Sequence, residues 1–240
     1  MQLDLEEQKR FWNSWDSRYR EQHPLDPMSE RRGETVVEWL RKLGLKQPRI
    51  LEVGCANGWL SERLSALGSV TATDLADEVV DRAQTRLPQV RFLAGDFLDL
   101  DFGAGAFDVV ICLETISCIA DQQRFVDGIA RVLRPGGHLI LTTHNRFVFE
   151  RMDDVAPLAP GQVRKWLSKE QLRQLLKKDF RLLRLATIGP AGRKGILRFV
   201  NSYKLDTLFT RIAGSARLRR AKELLGFGQT TAVLCRRVAR

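Results

Sequence analysis

The sequence predicts an α/β fold built around a doubly wound, mostly parallel sheet. Short apolar runs typical of buried strands alternate with amphipathic helical segments, which is the pattern of strand–helix–strand units. A turn rich in small residues follows the first run, and acidic residues follow the second and the third. A chain of 240 residues, 44% of them hydrophobic and 28% charged, can enclose one sizeable core.

The N-terminal residues 3–22 predict a helix with one aromatic face. Aromatic residues recur there at spacings of three to four positions: Phe11, Trp12, Trp15 and Tyr19. Two compatible interpretations remain, since this face can pack on the domain or cover a cofactor pocket. A second helix is predicted from Pro27 or Ser29 to Leu43, followed by Gly44 as its C-terminal cap. We therefore predict a helical cap over residues 1–45.

Residues 50–60 predict a cofactor-binding turn. An apolar strand is followed by a turn that holds Gly54, Ala56 and Gly58, and then by a helical pattern. Small residues let a ligand approach backbone N–H groups, and the N-terminus of the next helix favours negative charge. The dinucleotide fingerprint requires a small residue at the position of Trp59, so the turn predicts a different nucleotide-type cofactor.

Acidic residues end the next two predicted strands. Asp74 follows the strand predicted over 69–73, where a carboxylate can accept hydrogen bonds from ribose hydroxyls. The alternative is that Asp74 caps the helix predicted over 76–87. Asp96 follows the strand predicted over 90–93, and for it the alternative is an ordinary turn residue.

The rest of the chain predicts four further strands. These strands are predicted at residues 107–112, 138–143, 180–188 and 229–238, with helices at 121–133 and 168–178 and a tight turn at 134–137. The last two strands predict an antiparallel hairpin that completes a seven-stranded sheet.

Four of these features resemble the motifs of class I S-adenosylmethionine (SAM) dependent methyltransferases. They are Glu52-x-Gly54-x-Ala56-x-Gly58, Asp74, Asp96 and the string 132–143, in the family's order and spacing over residues 48–145. The chain is similar to the small-molecule type and to ubiquinone-pathway methyltransferases. The resemblance implies a Rossmann-like, SAM-binding domain over residues 46–240. Ala56 replaces the commoner glycine, and Ser117-Cys118 stand where relatives often have Glu-His, so that histidine's role cannot be transferred.

The resemblance also implies the residues that surround SAM. Those beside the methionine part are Glu52, Gly54, Cys55, Ala56, Asn57 and Gly58. Those beside the nucleoside are Asp74 and Leu75 at the ribose, and Asp96 and Phe97 at the adenine. Leu113 and Glu114 are expected on the sulfonium side, and Tyr19 with Trp12 or Trp15 closes the pocket.

His144 is the predicted catalytic base. Ligands bind at the carboxyl ends of parallel strands, which places His144 on the reactive side of the sheet and His138 away from it. Glu114 is the second candidate and His23 the third. The alternative for His144 is a structural histidine, and a nitrogen or carbanion acceptor would need no enzymic base. We expect Cys118 to pack rather than to react.

Residues 189–228 predict a basic helical insertion between the sixth and seventh strands. The insertion has nine basic and two acidic residues, a net charge of +7 of the chain's +10. Amphipathic helices are predicted near 204–213 and 216–225. Three interpretations remain: a lid over the acceptor pocket, a face that contacts anionic membrane, and a nucleic-acid patch.

These observations predict an enzyme that transfers the methyl group of SAM to oxygen, nitrogen or carbon of a small molecule. A polar N-terminus, no apolar run of ~20 residues and four cysteines without a close pair favour a cytoplasmic protein, without a metal, acting as a monomer or homodimer. The alternatives are an RNA methyltransferase, against which no appended RNA-binding module is found, and a non-catalytic SAM-fold protein that binds a partner through the insertion.

Overall fold

The computed structural model describes residues 4–20, 22–203, 207, 210, 211 and 214–238, and its centre is one seven-stranded sheet. The strands are β1 (Arg49–Val53), β2 (Ser69–Asp74), β3 (Arg91–Ala94), β4 (Phe107–Leu113), β5 (Leu133–His144), β6 (Phe180–Pro190) and β7 (Gly228–Arg237). They lie in the order β3-β2-β1-β4-β5-β7-β6. The first five are parallel, and β7 pairs antiparallel with both β5 and β6. The predicted sheet is confirmed.

Helices cover both faces of the sheet. They are α1 (Leu5–Trp15), α2 (Pro27–Lys42), α3 (Trp59–Ser65), α4 (Asp77–Arg86), α5 (Gln122–Val132), α6 (Arg146–Phe149), α7 (Lys169–Leu176), α8 (Ile196–Val200) and α9 (Ser215–Leu224). Successive strand residues face opposite sides. Accordingly Leu51 of β1 packs in the cluster formed with α5 and α7, whereas Ile50 packs in the cluster formed with α2, α3 and α4. Among the described residues, no helix has the length and apolar character needed to cross a membrane.

The helix predicted from Pro27 or Ser29 begins at Pro27. Asp26 is its N-cap, because the carboxylate accepts hydrogen bonds from the amides of Met28 and Ser29 at 3.0 and 2.9 Å. The turn predicted over 134–137 lies inside β5 as a bulge. Leu133 and His138 flank it and pair with residues only two positions apart on β4.

The basic insertion is described in part. Helix α9 confirms the helix predicted near 216–225. The helix predicted near 204–213 lies largely outside the described residues. Glu223 of α9 accepts a hydrogen bond from the Gly189 amide at 3.0 Å and pairs with Arg31 of α2 at 2.6 Å, which fastens α9 to the main body.

Candidate active site

A cavity of about 960 Å³ opens at the carboxyl ends of the parallel strands. Its lining includes one residue at or just after the end of each parallel strand: Gly54, Asp74, Asp96, Glu114 and His144. Ligands of open α/β sheets bind at this edge, and the volume is that of small-molecule sites. The cavity therefore combines a candidate cofactor site with room for a second molecule.

In the turn after β1 the backbone lies close to neighbouring segments of the chain. The amides of Gly54 and Cys55 both donate to the carbonyl of Thr73, at 2.8 and 3.1 Å. Gly54 has a φ of 78°, and a Cβ added there would lie 1.9 Å from Thr115 Oγ1. Ala56, at the place where the family commonly has glycine, adopts a left-handed φ of 47°. Only a residue without a side chain fits at Gly54.

Asp74 holds the turn together. Its Oδ2 accepts the Ala56 amide at 2.8 Å and its Oδ1 accepts the Ala76 amide at 3.0 Å. Burial raises the pKa of this carboxyl, and the amide bonds oppose that rise. Helix α4 begins at Asp77 without a side-chain cap, so Asp74 is not its N-cap. The carboxylate lines the cavity and has lone pairs left to accept hydroxyl groups.

Most residues predicted to surround the cofactor line this cavity. They are Tyr19, Glu52, Gly54, Ala56, Asp74, Leu75, Asp96, Phe97, Leu113 and Glu114, and the base candidates His23 and His144 line it too. Asp96 Oδ1 accepts the Leu98 amide at 2.9 Å. Phe97 is nearly buried and packs edge-on against Phe125, with ring centroids 5.4 Å apart, so its ring belongs largely to the core.

Cys55, Asn57 and Gly58 are the exceptions, since they do not line the cavity. Cys55 is buried among apolar side chains, and burial raises the pKa of its thiol. A Cβ at Gly58 would lie 2.9 Å from the Phe92 ring, so this glycine serves packing between α3 and β3. The Asn57 carbonyl accepts a hydrogen bond from Arg86. The motif alone could not separate these packing positions from binding positions.

Glu52 is a buried acid beneath the turn. It is 2% exposed and accepts a hydrogen bond from the Ser61 hydroxyl. Burial raises the pKa of its carboxyl to about 8, the nearby Asp74 charge adds to the rise, and the Ser61 bond opposes it. Glu52 is therefore largely protonated at neutral pH when no ligand is bound.

Glu52→Gln is expected to stabilise the ligand-free protein at pH 8.5 by on the order of 2 kcal/mol. Between pH 4.5 and about 8 the folded state keeps a proton that the unfolded chain has lost, so wild-type stability falls as pH rises through this window. Glutamine removes the titration and can still accept the Ser61 bond. Urea unfolding across this pH range measures the effect.

Glu38→Gln, at an exposed carboxyl whose pKa is lowered by its bond to Lys42, is the control. Equal midpoints for wild type and Glu52→Gln at pH 8.5 would contradict the assignment.

Glu114 and His144 face each other at the cavity wall. Glu114 Oε2 lies 2.9 Å from His144 Nδ1, and its Oε1 lies 3.8 Å from Arg32 Nη1. Burial would raise the pKa of Glu114, but the facing His144 ring and Arg32 outweigh it and hold the pKa at about 2. Glu114 has a left-handed φ of 65°, stabilised by hydrogen bonds from its amide to Thr142 O and Oγ1, both at 3.1 Å. Backbone strain of this kind often marks functional sites.

His144 presents one ring nitrogen to its partners and leaves the other available. Nδ1 lies 3.1 Å from Ser117 Oγ as well as near Glu114. Phe149 meets the ring edge-on, with centroids 4.4 Å apart. Nε2 makes no hydrogen bond to another described residue. The ring is thus fixed in orientation, and Nε2 is the atom that can exchange a proton with a ligand.

Sequence reasoning missed several residues of this site, of which Arg32 is the clearest. Arg32 lies four positions before Val36, on the face of α2 that buries Val36, Trp39 and Leu40. An arginine on an apolar helical face is seldom buried without a partner. Its position on that face was therefore the feature of the sequence that could have indicated a nearby acidic residue. Ser117 and Phe149 had no comparable signal.

The outer wall of the cavity comes from α1, from the helical turn Asp16–Arg20 that follows it, and from residues 149–166. Trp12, Trp15 and Tyr19 line it from the N-terminal side, and Phe149 and Trp166 from the other. Tyr19 is 59% exposed, and its carbonyl oxygen lies 3.0 Å from Nδ1 of His23 at the rim. Within the part of the insertion 189–228 that the structure describes, no residue lines the cavity. The lid interpretation of the insertion is therefore unsupported there.

The fold and the cavity define a Rossmann-like protein with a site for a nucleoside-type cofactor. Residues 51–141 match a family model described as a methyltransferase domain. This match agrees with the resemblance inferred from the motifs, and it covers residues from β1 to β5.

Individual relatives agree with this family. Over 151 residues the chain is 35% identical to a ubiquinone biosynthesis O-methyltransferase of Xanthomonas oryzae pv. oryzae (strain PXO99A), covering 60% of this chain and 62% of the relative. Over 148 residues it is 30% identical to the enzyme of the same name from Aromatoleum aromaticum, covering 57% and 58%. The chain thus spans about three fifths of the length of these curated relatives.

A solved structure supports the fold. The S-adenosylmethionine dependent methyltransferase from Mesorhizobium loti superposes with a TM-score of 0.58 at 18% identity. The match covers 85% of this chain and 100% of that one.

Proposed function

We propose that this protein transfers the methyl group of SAM to a hydroxyl oxygen of an apolar, phenol-like small molecule. The observation that carries the proposal is the Glu114–His144 pair, which faces the same cavity as the turn after β1. The relatives reported above are named as O-methyltransferases, which supports an oxygen acceptor. Aromatic side chains of α1 and of residues 149–166 give the outer wall an affinity for a flat, apolar molecule.

The residues at the strand ends fit SAM. The missing Cβ of Gly54 lets a ligand approach the turn, and the Asp74 carboxylate can accept hydrogen bonds from a ribose diol. Asp96 lies at the end of β3, where the adenine would lie. When bound, SAM supplies a reactive methyl sulfonium, and the protein provides orientation and a dry cavity.

The proton of the acceptor hydroxyl goes to His144. Its Nε2 would accept this proton, and the ionised Glu114 facing Nδ1 would stabilise the resulting imidazolium. Ser117 and Phe149 keep the ring in this orientation. The thiol of Cys118 takes no part, because burial raises its pKa to about 11.

The first test is calorimetric binding of SAM and S-adenosylhomocysteine to wild type and to Asp74→Ala. We expect micromolar affinity, about −8 kcal/mol, for the wild type. Loss of two charge-assisted hydrogen bonds to the ribose should weaken it on the order of 100-fold in the variant.

Two further variants keep this test interpretable. Asp74→Asn keeps an acceptor oxygen for one of the two amides that Asp74 binds, so a folded Asp74→Asn protein that binds SAM weakly separates lost ribose binding from lost folding. Asp101→Ala removes an exposed carboxylate that accepts the Gly103 amide at 3.0 Å outside the cavity, and it should bind SAM like wild type. Failure of the folded wild type to bind either compound would refute the methyltransferase proposal and favour a non-catalytic role.

A further inference from the structure

Helix α8 is anchored by one apolar residue and exposes others. Leu197 is fully buried, whereas Ile196, Phe199 and Tyr203 are 56%, 68% and 84% exposed. Ile196 and Phe199 lie three positions apart on α8, on one side of the helix, and Tyr203 follows shortly after the helix ends at Val200. Exposed apolar residues scattered singly are ordinary on proteins, but a cluster of this kind marks an interaction surface.

The segment that contains α8 is fastened to the rim of the cavity. The amides of Arg193 and Lys194 donate to the Arg151 carbonyl at 2.9 and 3.2 Å. Lys194 Nζ donates to the Met152 carbonyl at 2.9 Å and pairs with Asp153 at 3.2 Å. Met152 also lines the cavity. The exposed face of α8 is therefore held in place beside the cavity entrance.

Helix α9 extends this exposed region. Lys222 Nζ donates to Asn201 Oδ1 at 3.2 Å, which joins α9 to the end of α8. At the C-terminal end of α9, Leu224 is 81% exposed, and Leu225 beside it is 68% exposed. Apolar side chains thus project from α8 and from the end of α9 in the described part of the insertion.

The same region is rich in arginine. Six exposed arginines make no ion pair with any other described residue: Arg193, Arg198, Arg211, Arg217, Arg219 and Arg220. The one described acid of the insertion, Glu223, is held by Arg31 and the Gly189 amide. The positive charge of this region is therefore available to an anionic partner.

We propose that these arginines and the five exposed apolar side chains, here called the α8–α9 surface, dock the protein on an anionic phospholipid bilayer. Arginines attract lipid phosphates, while Ile196, Phe199 and the two leucines enter the boundary between headgroups and acyl chains. A nucleic acid would use the arginines but would gain little from exposed isoleucine and leucine side chains. The apolar component therefore favours lipid.

The test is flotation of the full chain with vesicles of phosphatidylglycerol and phosphatidylcholine, compared with vesicles of phosphatidylcholine alone. We expect binding to the anionic vesicles that weakens as salt is raised. The variant Ile196→Ser/Phe199→Ser should reduce the partition coefficient roughly tenfold. The variant Arg217→Gln/Arg219→Gln/Arg220→Gln should reduce it on the order of 100-fold.

Each variant has a matched control elsewhere on the chain. Leu183→Ser changes a residue that is 45% exposed on β6, and Arg41→Gln/Lys46→Gln/Arg91→Gln lowers the net charge by the same amount outside the insertion. Circular dichroism checks that all variants remain folded.

Absence of vesicle binding at low salt, or equal losses of vesicle binding in variants and controls, would overturn the proposal. Tighter binding to a short RNA that is unaffected by Ile196→Ser/Phe199→Ser would overturn it in favour of a nucleic-acid surface.

Discussion

Replacing His144 with alanine should lower the rate of methyl transfer to a hydroxyl acceptor by about 10²- to 10⁴-fold, the usual contribution of a positioned general base. SAM affinity should be unchanged, because the imidazole faces the acceptor side of the cavity and Asp74 and the turn after β1 are untouched. Production of S-adenosylhomocysteine from SAM and a panel of phenols and catechols with apolar substituents measures the rate.

A change at Glu114, the other residue of the pair, should lower the rate less than the loss of His144. Glu114→Gln keeps the shape of the side chain but removes the charge that stabilises the imidazolium, so we expect a smaller rate loss and a pH profile displaced to lower pH. His138→Gln changes a histidine in the middle of β5 that does not line the cavity, and it should leave the rate unchanged. A His144→Ala enzyme as fast as wild type would show that the acceptor needs no base at this position.

Gly54→Ala should cause a large loss of stability although it adds a single methyl group. The added Cβ would lie 1.9 Å from Thr115 Oγ1 and 2.8 Å from its Cβ, at a φ of 78° that disfavours any side chain. Thr115 has little freedom to move, because its hydroxyl donates to the Val53 carbonyl at 3.0 Å. We expect a loss of about 3 kcal/mol in the free energy of unfolding, together with loss of SAM binding.

Gly44 provides the matched control for this change. It also has a left-handed φ, of 64°, but an added Cβ would have no atom within 4 Å. Gly44→Ala should therefore cost only the backbone strain, about 1 kcal/mol, and leave SAM binding intact. Adding Thr115→Ala to Gly54→Ala should recover part of the stability. Equal unfolding midpoints for the two alanine variants would show that the clash is relieved by other movements.

Features set by short stretches of sequence could be predicted. The strand after Pro48, the turn at Gly54 and the acid at Asp74 each follow from residue types close together in the chain, and the sheet order follows from the resemblance. Whether a residue of the turn faces the cavity or the core is different. Cys55 and Gly58 lie within the motif, yet they pack against residues of α3, α4 and β3.

Contacts between distant segments could not be predicted. Arg32, Glu114, Ser117 and His144 come from α2, from the segment after β4 and from the end of β5, and only the folded sheet brings them together. The insertion shows the same limit. Its periodicity indicates helices, and α9 confirms one of them, but it does not tell which surface their apolar residues contact.

The position of α2 has a consequence for where the folding unit begins. The match to the methyltransferase family starts at residue 51, but Val36, Trp39 and Leu40 are 1–3% exposed in the cluster that covers one face of the sheet. Removal of side chains of this size leaves cavities that cost about 2–5 kcal/mol each. A shortened chain that began at β1 would expose that face and leave Glu114 without Arg32. The cooperative unit therefore extends upstream of the matched domain, and one helix supplies both its core and a charge beside the proposed catalytic base.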